Sequence, residues 1–358
     1  KIEPIRADDL KKGIRVAVPR SLDIEIKSNY FLELLDLIKK EDNLYVPYNE
    51  FYVDLLKNYK EKNKLTWKDI SKKFEIKYLV IKGLLDKQAI NFTHLVKIFR
   101  EIEIDDYEIT KLITKIKSKN YNNTYTMIWR NSKEFSRFLG YLLAEGTTPI
   151  GNDQIRFTNS TKEMIEDYKQ IADNLFGVNV TVNEYRRNIF DLLFYSQPIR
   201  VILSKFGMPF ANTEYKDLTN LFLKNSSKEY LSEFINGFFS GDGYVGEGCL
   251  EISTKSSKLG FALETIFLRL GVIFSSKWKI KIATNSKTRA QGLYRIISVY
   301  GVENFRKFND NINLTKLSKK EKLNNLIQRE IISNPNIDLI EANELVKNLT
   351  KEFNFNVK

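Results

Sequence analysis

The sequence predicts an α+β fold of two duplicated αββαββ-type halves about a pseudo-twofold axis, preceded by a helical domain. Three observations predict it: a short motif occurs twice, the segments behind both copies recur in the same order, and strands within those segments alternate. Residues 138–146 read Phe-Leu-Gly-Tyr-Leu-Leu-Ala-Glu-Gly and residues 235–243 read Ile-Asn-Gly-Phe-Phe-Ser-Gly-Asp-Gly. As helices, these segments place Gly140 and Ala144 on one stripe and Gly237 and Gly241 on another. Stripes without bulky side chains let two backbones approach closely, and the glycine after each acid is expected to end its helix. Side by side, the two helices bring Glu145 and Asp242 together at one end, a site suited to divalent metal and phosphodiester chemistry.

Taken in order, residues 1–25 read as a short β-rich start and 26–120 as a helical domain. Within the latter, Thr66 and Asp69 make a capping-box pair opening one helix, a tight turn passes Glu75-Ile76, and a second basic helix begins near Lys77. This is a helix-turn-helix candidate that would turn Lys77, Tyr78 and Lys82 toward DNA. The polar stretch Asn120-Tyr-Asn-Asn-Thr-Tyr reads as a linker to the core at 131–325, whose halves span about 131–225 and 226–325. Behind Glu145 come Gln154-Ile-Arg-Phe-Thr, an amphipathic stretch from Lys162 to Leu175, and Phe-Gly-Val-Asn-Val-Thr-Val. Behind Asp242 come Leu250-Glu-Ile-Ser-Thr, Lys258 to Arg269, and Leu-Gly-Val-Ile-Phe. The glycine of each Gly-Val pair lies 32 residues past the acid in the first copy and 29 in the second. Motif and downstream order recurring together mark an internal duplication. Residues 326–358 read as helical after the Asn334-Pro335 break, without an assignable role.

Composition narrows the function. The net charge is +12, yet residues 51–100 hold 12 basic and 5 acidic side chains and residues 251–300 hold 9 and 2, so the remainder is slightly acidic. Two localised basic regions suit a polyphosphate partner, because phosphate neutralisation dominates nucleic-acid affinity. One histidine, His94, argues against a histidine triad or multi-histidine metal site. One cysteine, Cys249, excludes an internal disulfide and a cysteine zinc site, which fits a reducing cytoplasmic setting. No apolar run reaches the ~18 residues that would span a bilayer, so no membrane partner is expected.

The second basic region has geometry as well. Lys277-Trp-Lys-Ile-Lys-Ile alternates, so a strand would show Lys277, Lys279 and Lys281 on one face and pack Trp278, Ile280 and Ile282 on the other. The matching strand of the first half shows Asn179, Thr181 and Asn183, side chains able to donate to and accept from base edges. Arg186, Arg187, Lys287, Arg289 and Arg295 fall on the following turns or strands and join the expected DNA-binding set.

With the motifs and their duplication in hand, the chain resembles the LAGLIDADG homing endonucleases, of the single-chain, two-motif type carried by archaeal inteins and introns. The resemblance covers about residues 131–325. It implies two central motif helices, saddle-shaped antiparallel sheets over double-stranded DNA with a long recognition site, and a monomer. It further implies Mg²⁺ (or Mn²⁺) held by the acid before the last glycine of each motif, here Glu145 and Asp242. Glu145 departs from the more frequent Asp at its position. Lysines near the active centre of intein-type members correspond to Lys216 and, in the basic stretch after the second half, to Lys319 first and Lys322 second; an ammonium there would stabilise charge on the phosphate or orient water. The segment Asp8-Asp-Leu-Lys-Lys-Gly-Ile-Arg-Val-Ala-Val-Pro-Arg resembles a strand of a protein-splicing domain. The sequence starts with Lys1 and has no His-Asn pair, so as written it is not expected to splice, and it reads either as a fragment lacking the splicing ends or as a freestanding relative that keeps a remnant.

The expected activity is therefore double-strand cleavage leaving short 3′ overhangs. Two alternatives stay open on the same fold: an RNA maturase assisting intron splicing, and a DNA-binding regulator without catalysis.

Overall fold

In this computed structural model, which describes residues 6–9, 11, 20–26, 28–210, 213–282 and 291–328, the duplication recurs element for element. An N-terminal unit comes first: α1 (Leu34–Leu37), β1 (Leu44–Val46), α2 (Glu50–Lys62), α3 (Trp67–Lys73), α4 (Tyr78–Leu85), β2 (Ile90–Asn91), α5 (Phe92–Glu101), α6 (Asp106–Leu112), β3 (Lys115–Ser118) and β4 (Thr124–Thr126). The first half is α7 (Lys133–Glu145), β5 (Gly146–Thr147), β6 (Gln154–Asn159), α8 (Lys162–Phe176), β7 (Thr181–Arg186), β8 (Ile189–Tyr195) and α9 (Gln197–Lys205). A short α10 (Asn220–Lys224) leads to the second half: α11 (Lys228–Asp242), β9 (Tyr244–Val245), β10 (Leu250–Thr254), α12 (Ser257–Arg269), β11 (Ser275–Ile282), β12 (Gln291–Val299) and α13 (Val302–Asn311), followed by α14 (Leu317–Gln328). Both halves run αββαββα, and their antiparallel sheets have the same order, β5-β6-β8-β7 and β9-β10-β12-β11.

The motif helices begin alike. Ser132 accepts a hydrogen bond from the Phe135 amide and Ser227 one from the Tyr230 amide, each filling an orphan donor of the first turn. Both helices are buried on nearly every side, as a central pair must be. In each half the glycine of the Gly-Val pair closes the second helix in the left-handed region, Gly177 with φ 65° and Gly271 with φ 71°. Phe138, Phe157 and Tyr168 pack ring on ring, with Phe157 and Tyr168 centroids 4.8 Å apart, and so join α7 to α8 and the inner face of β6.

The N-terminal unit differs from the expected helical domain. It also carries a four-stranded sheet, β2-β1-β3-β4, and the Asn- and Tyr-rich stretch forms the β3–β4 hairpin loop rather than a linker. Polar turn chemistry serves a hairpin and a linker equally, so composition did not separate them. The unit is docked on the first half: the Phe31 ring lies 4.7 Å from that of Phe206 and 5.9 Å from that of Phe135, while Asp42 pairs with Lys205 at 2.7 Å. Most of the splicing-like segment, residues 10 and 12–19, and the tail beyond residue 328 lie outside the described residues, and Ala7–Asp9 form a single 3-10 turn. Among the described residues no helix is long and apolar enough to cross a membrane.

Candidate active site

The two motif helices touch through their backbones. A Cβ on Gly140 would collide with the Phe234 carbonyl oxygen and lie 2.8 Å from the Phe238 nitrogen, and one on Gly237 would collide with the Arg137 carbonyl. Nearer the acids, a Cβ on Gly241 would come 2.9 Å from the Ala144 Cβ and 3.5 Å from the Glu145 carboxyl carbon. The glycines after the acids do not take the left-handed conformation: Gly146 (φ −84°) and Gly243 (φ −71°) are extended. They are glycine because a Cβ would strike Leu142 or Phe239 in the preceding turn. The helices thus end where the chain turns into β5 and β9, with an acid at each end.

Glu145 and Asp242 converge there. Burial, then the neighbouring Asp242, pushes the Glu145 carboxyl above its ordinary range. Burial does the same to Asp242, against the opposing pull of Lys216 and Lys319. Asp242 still meets solvent, so the site is open to water on that side rather than sealed within the core. Two crowded carboxylates disfavour the double anion, and a divalent cation relieves that repulsion.

The two lysines occupy equivalent places. Lys216, 4% exposed, donates from Nζ to the carbonyls of Leu142 (3.1 Å) and Ala144 (2.9 Å), at the C-terminal end of α7. Lys319 donates to the carbonyls of Phe239 (2.9 Å), Ser240 (2.8 Å) and Gly241 (2.7 Å), at the C-terminal end of α11. Each ammonium therefore faces the negative end of a helix dipole; the Leu142 and Phe239 carbonyls also accept the last helical bonds, from the Gly146 and Gly243 amides, while those of Ala144, Ser240 and Gly241 lie beyond them. Burial pulls both down to about 8. Lys322 does not join them; it lines a surface hollow with Tyr244, Asn325 and Leu326.

Two residues of the site escaped the sequence reading. Asn159 ends β6 and donates from Nδ2 to the Glu145 carboxylate while its Oδ1 accepts from the Thr161 amide. Thr254 ends β10 in the same way, accepting from the Ser256 amide, so a polar residue closing the first long strand of each copy was the available signal. Lys316 adds positive charge beside Glu145 and Lys319. Nothing but its place in a basic run marked it.

The expected DNA-binding residues are dispersed. Asn179, Thr181, Asn183, Arg186 and Arg187 are exposed on or beside β7, with Asn179 just before the strand and Arg187 in the hairpin turn. Thr181 and Asn183 share a sheet face with Arg156, Thr158 and Asp191, and Thr158 donates to Asp191 at 2.5 Å. Lys277, Lys279 and Lys281 alternate along β11 as expected, and Lys281 pairs with Glu251 at 2.8 Å. The opposite face departs from the expected apolar back: Trp278 is 43% exposed and Ile280 63%, because the β11–β12 hairpin extends past the helix that covers its base. Arg295 sits on that helix side, bonded to Glu264 at 2.6 Å and stacked on Phe261, so it braces the hairpin instead of facing outward with the lysines. Lys287 and Arg289 lie outside the described residues. In the N-terminal unit, Lys77 precedes α4 and Tyr78 and Lys82 are exposed on it; the α3–α4 turn passes Glu75 at φ 50°.

A profile described as "LAGLIDADG-like domain" matches residues 132–207 and 229–313, one segment per half. Among curated proteins, the chain is 26% identical over 224 residues to the DNA-directed RNA polymerase subunit Rpo1C of Methanocaldococcus jannaschii, covering 61% of this chain and 23% of that protein. It is 22% identical over 326 residues to the glutamine–fructose-6-phosphate aminotransferase of the same organism, covering 90% and 28%. The chain thus spans about a quarter of the length of these relatives. Among solved structures, I-DmoI in complex with DNA and Ca is 12% identical, with a TM-score of 0.34 and coverage of 49% of this chain and 86% of that one. The duplicated core thus matches the LAGLIDADG-like domain twice, over residues 132–207 and 229–313, once in each half.

Proposed function

We infer that the chain is a site-specific endonuclease that cuts both strands of DNA with a divalent cation, Mg²⁺ or Mn²⁺. The observation that carries this reading is the convergence of Glu145 and Asp242, each acid backed by a lysine on its own helix end. The donor set fits a hard cation. Among the described residues no group of three or more His, Cys, Asp or Glu side chains gathers, so protein ligands stop at two carboxylates, and water and substrate phosphate complete the shell as Mg²⁺ prefers. When bound, the cation supplies Lewis-acid activation of water and neutralises charge on the phosphate.

The chain's own residues do the rest. Asn159 holds the longer Glu145 side chain in one orientation. Lys216 and Lys319 present fixed positive charge beside the acids, where negative charge builds on the phosphate. Outward polar residues of β7 and lysines of β11 supply base and phosphate contacts, and Lys77, Tyr78 and Lys82 extend them. Two relatives of unrelated name share this one segment over a quarter of their length, which supports an element carried inside host proteins.

The test is to incubate the protein and Mg²⁺ with a pool of long DNA sequences and map the ends. Paired breaks at one sequence, lost in Asp242→Asn, support the reading. Intact cleavage in that variant overturns it, and specific binding without cleavage would favour the regulator. Retention of both acids weighs against that alternative.

A further inference from the structure

Resting on the nuclease reading above, we propose that Asn236 is a positioning residue that holds Lys319 for one of the two strand cuts. Asn236 lies within motif helix α11, 3% exposed. Its Oδ1 accepts from the Thr315 amide at 2.8 Å and from Thr315 Oγ1 at 3.1 Å. One turn on, Ser240 Oγ donates to the same oxygen at 3.3 Å and accepts from the Lys316 amide at 3.3 Å. Thr315 and Lys316 are the last residues before α14, and the Lys319 amide closes that helix's first turn on the Lys316 carbonyl at 3.1 Å. Three side-chain hydrogen bonds therefore strap the root of α14 to α11, with Ser240 and Asn236 bonded to each other beneath them, and Lys319 reaches back from α14 to the last carbonyls of α11.

Among the described residues the first half has no such strap. Aligning the motifs on Gly140 and Gly237, Leu139 and Leu143 stand where the second half has Asn236 and Ser240. Lys216 is held by other means: Gly207, at φ 106°, accepts from the Asp217 amide at 2.9 Å, and a Cβ there would collide with the Asp217 carbonyl. A buried Asn on a motif helix costs desolvation unless its oxygen is satisfied. Here it is satisfied by the segment that delivers Lys319. Loss of Asn236 should then impair the cut served by Lys319 and spare the one served by Lys216.

The experiment uses the full chain, Mg²⁺ and a supercoiled plasmid bearing a site recovered from the DNA pool. Asn236→Leu installs the residue of the first half, Asn236→Asp keeps the accepting oxygen, and Thr315→Val removes one donor outside the helix pair. Expected for Asn236→Leu are open circles formed at nearly the wild-type rate and a second cut slowed at least tenfold, always on the same strand. DNA affinity without metal should stay within twofold, Asn236→Asp should still linearise, and Thr315→Val should slow the same strand more mildly. Amide exchange should accelerate over residues 315–322 and not along α7. Linearisation at the wild-type rate, equal slowing of both strands, or unchanged exchange overturns the proposal. If wild type cleaves nothing, the nuclease reading falls, while the exchange result still decides whether Asn236 holds the strap.

Discussion

Asp242 and Glu145 are crowded, partly desolvated carboxyls, and the sign of that cost has consequences. Both carboxyls are pushed above their unfolded range, chiefly by burial. Such groups add stability at low pH and lose it as pH rises, so at neutral pH without metal they oppose folding. Asp242→Asn should therefore melt at the same or a higher temperature than wild type in chelator-treated buffer, while losing cleavage about 100-fold or more, the usual cost of removing a group that stabilises developing charge. A lower melting temperature in a metal-free thermal scan would refute the crowded-anion account. The lysines run the other way. Lys216 and Lys319 stand near 8, below the ordinary lysine value, because of burial. The unfolded chain holds those protons to higher pH, so their contribution to stability grows between about 8 and 10.5 while the ammonium charge at the site is lost. A pH series should show cleavage falling as pH rises through about 8 with no parallel fall in melting temperature.

Among the elements, the pair α7 and α11 depends on absent side chains. The Gly140 and Gly237 positions each face the backbone of the other helix, and neither carbonyl can yield without unwinding a turn. Gly140→Ala should therefore destabilise by about 1–3 kcal/mol or more, the overpacking range, despite alanine's better helix propensity. Denaturant titration measures it; a neutral or stabilising result would show that the helices can separate freely. The same close approach explains how far this site could be read from the sequence. A repeated small residue every four positions is visible along a line of letters, and so is the acid that follows. Asn159 was not legible, since its link to Glu145 spans β5 and a loop, and many strand-end polar residues have no such partner. Arg295 was grouped with the DNA-binding residues for its charge and place on a following strand, but its pairing with Glu264 is set by how α12 packs.

At the scale of the whole molecule, the body of the N-terminal unit is seated on the first half, while the chain leading into it also reaches the second, with Asp23 on Lys228 at 2.7 Å and Asn29 on Tyr230 at 3.3 Å. Phe31, Phe135 and Phe206 form its apolar seat, and Asp42 ties it to Lys205 and to the Gln197 side chain. Any DNA contact made by α4 should thus lengthen the protected sequence on one side of the cut. Replacing Lys77 and Lys82 by alanine should shorten a nuclease footprint on that side and lower the salt dependence of binding by about one unit for each phosphate left without its lysine. A footprint of unchanged length would remove α4 from the interface.

By itself, the sequence determined the duplicated halves, their element order, the two acids, the lysine-rich strand and the basic helix pair. These are properties of spacing along the chain, and spacing is local. Only the tertiary structure decided which groups meet: Lys216 and Lys319 on the helix ends, Asn159 on Glu145, Asn236 on the strap before α14, and Arg295 on Glu264. Each joins residues from different elements, where packing of the two halves, not periodicity, sets the distance. The apolar face of β11 shows the remaining difference. Alternation correctly sorted its residues, but burial depends on whether a helix reaches that far, and α12 does not.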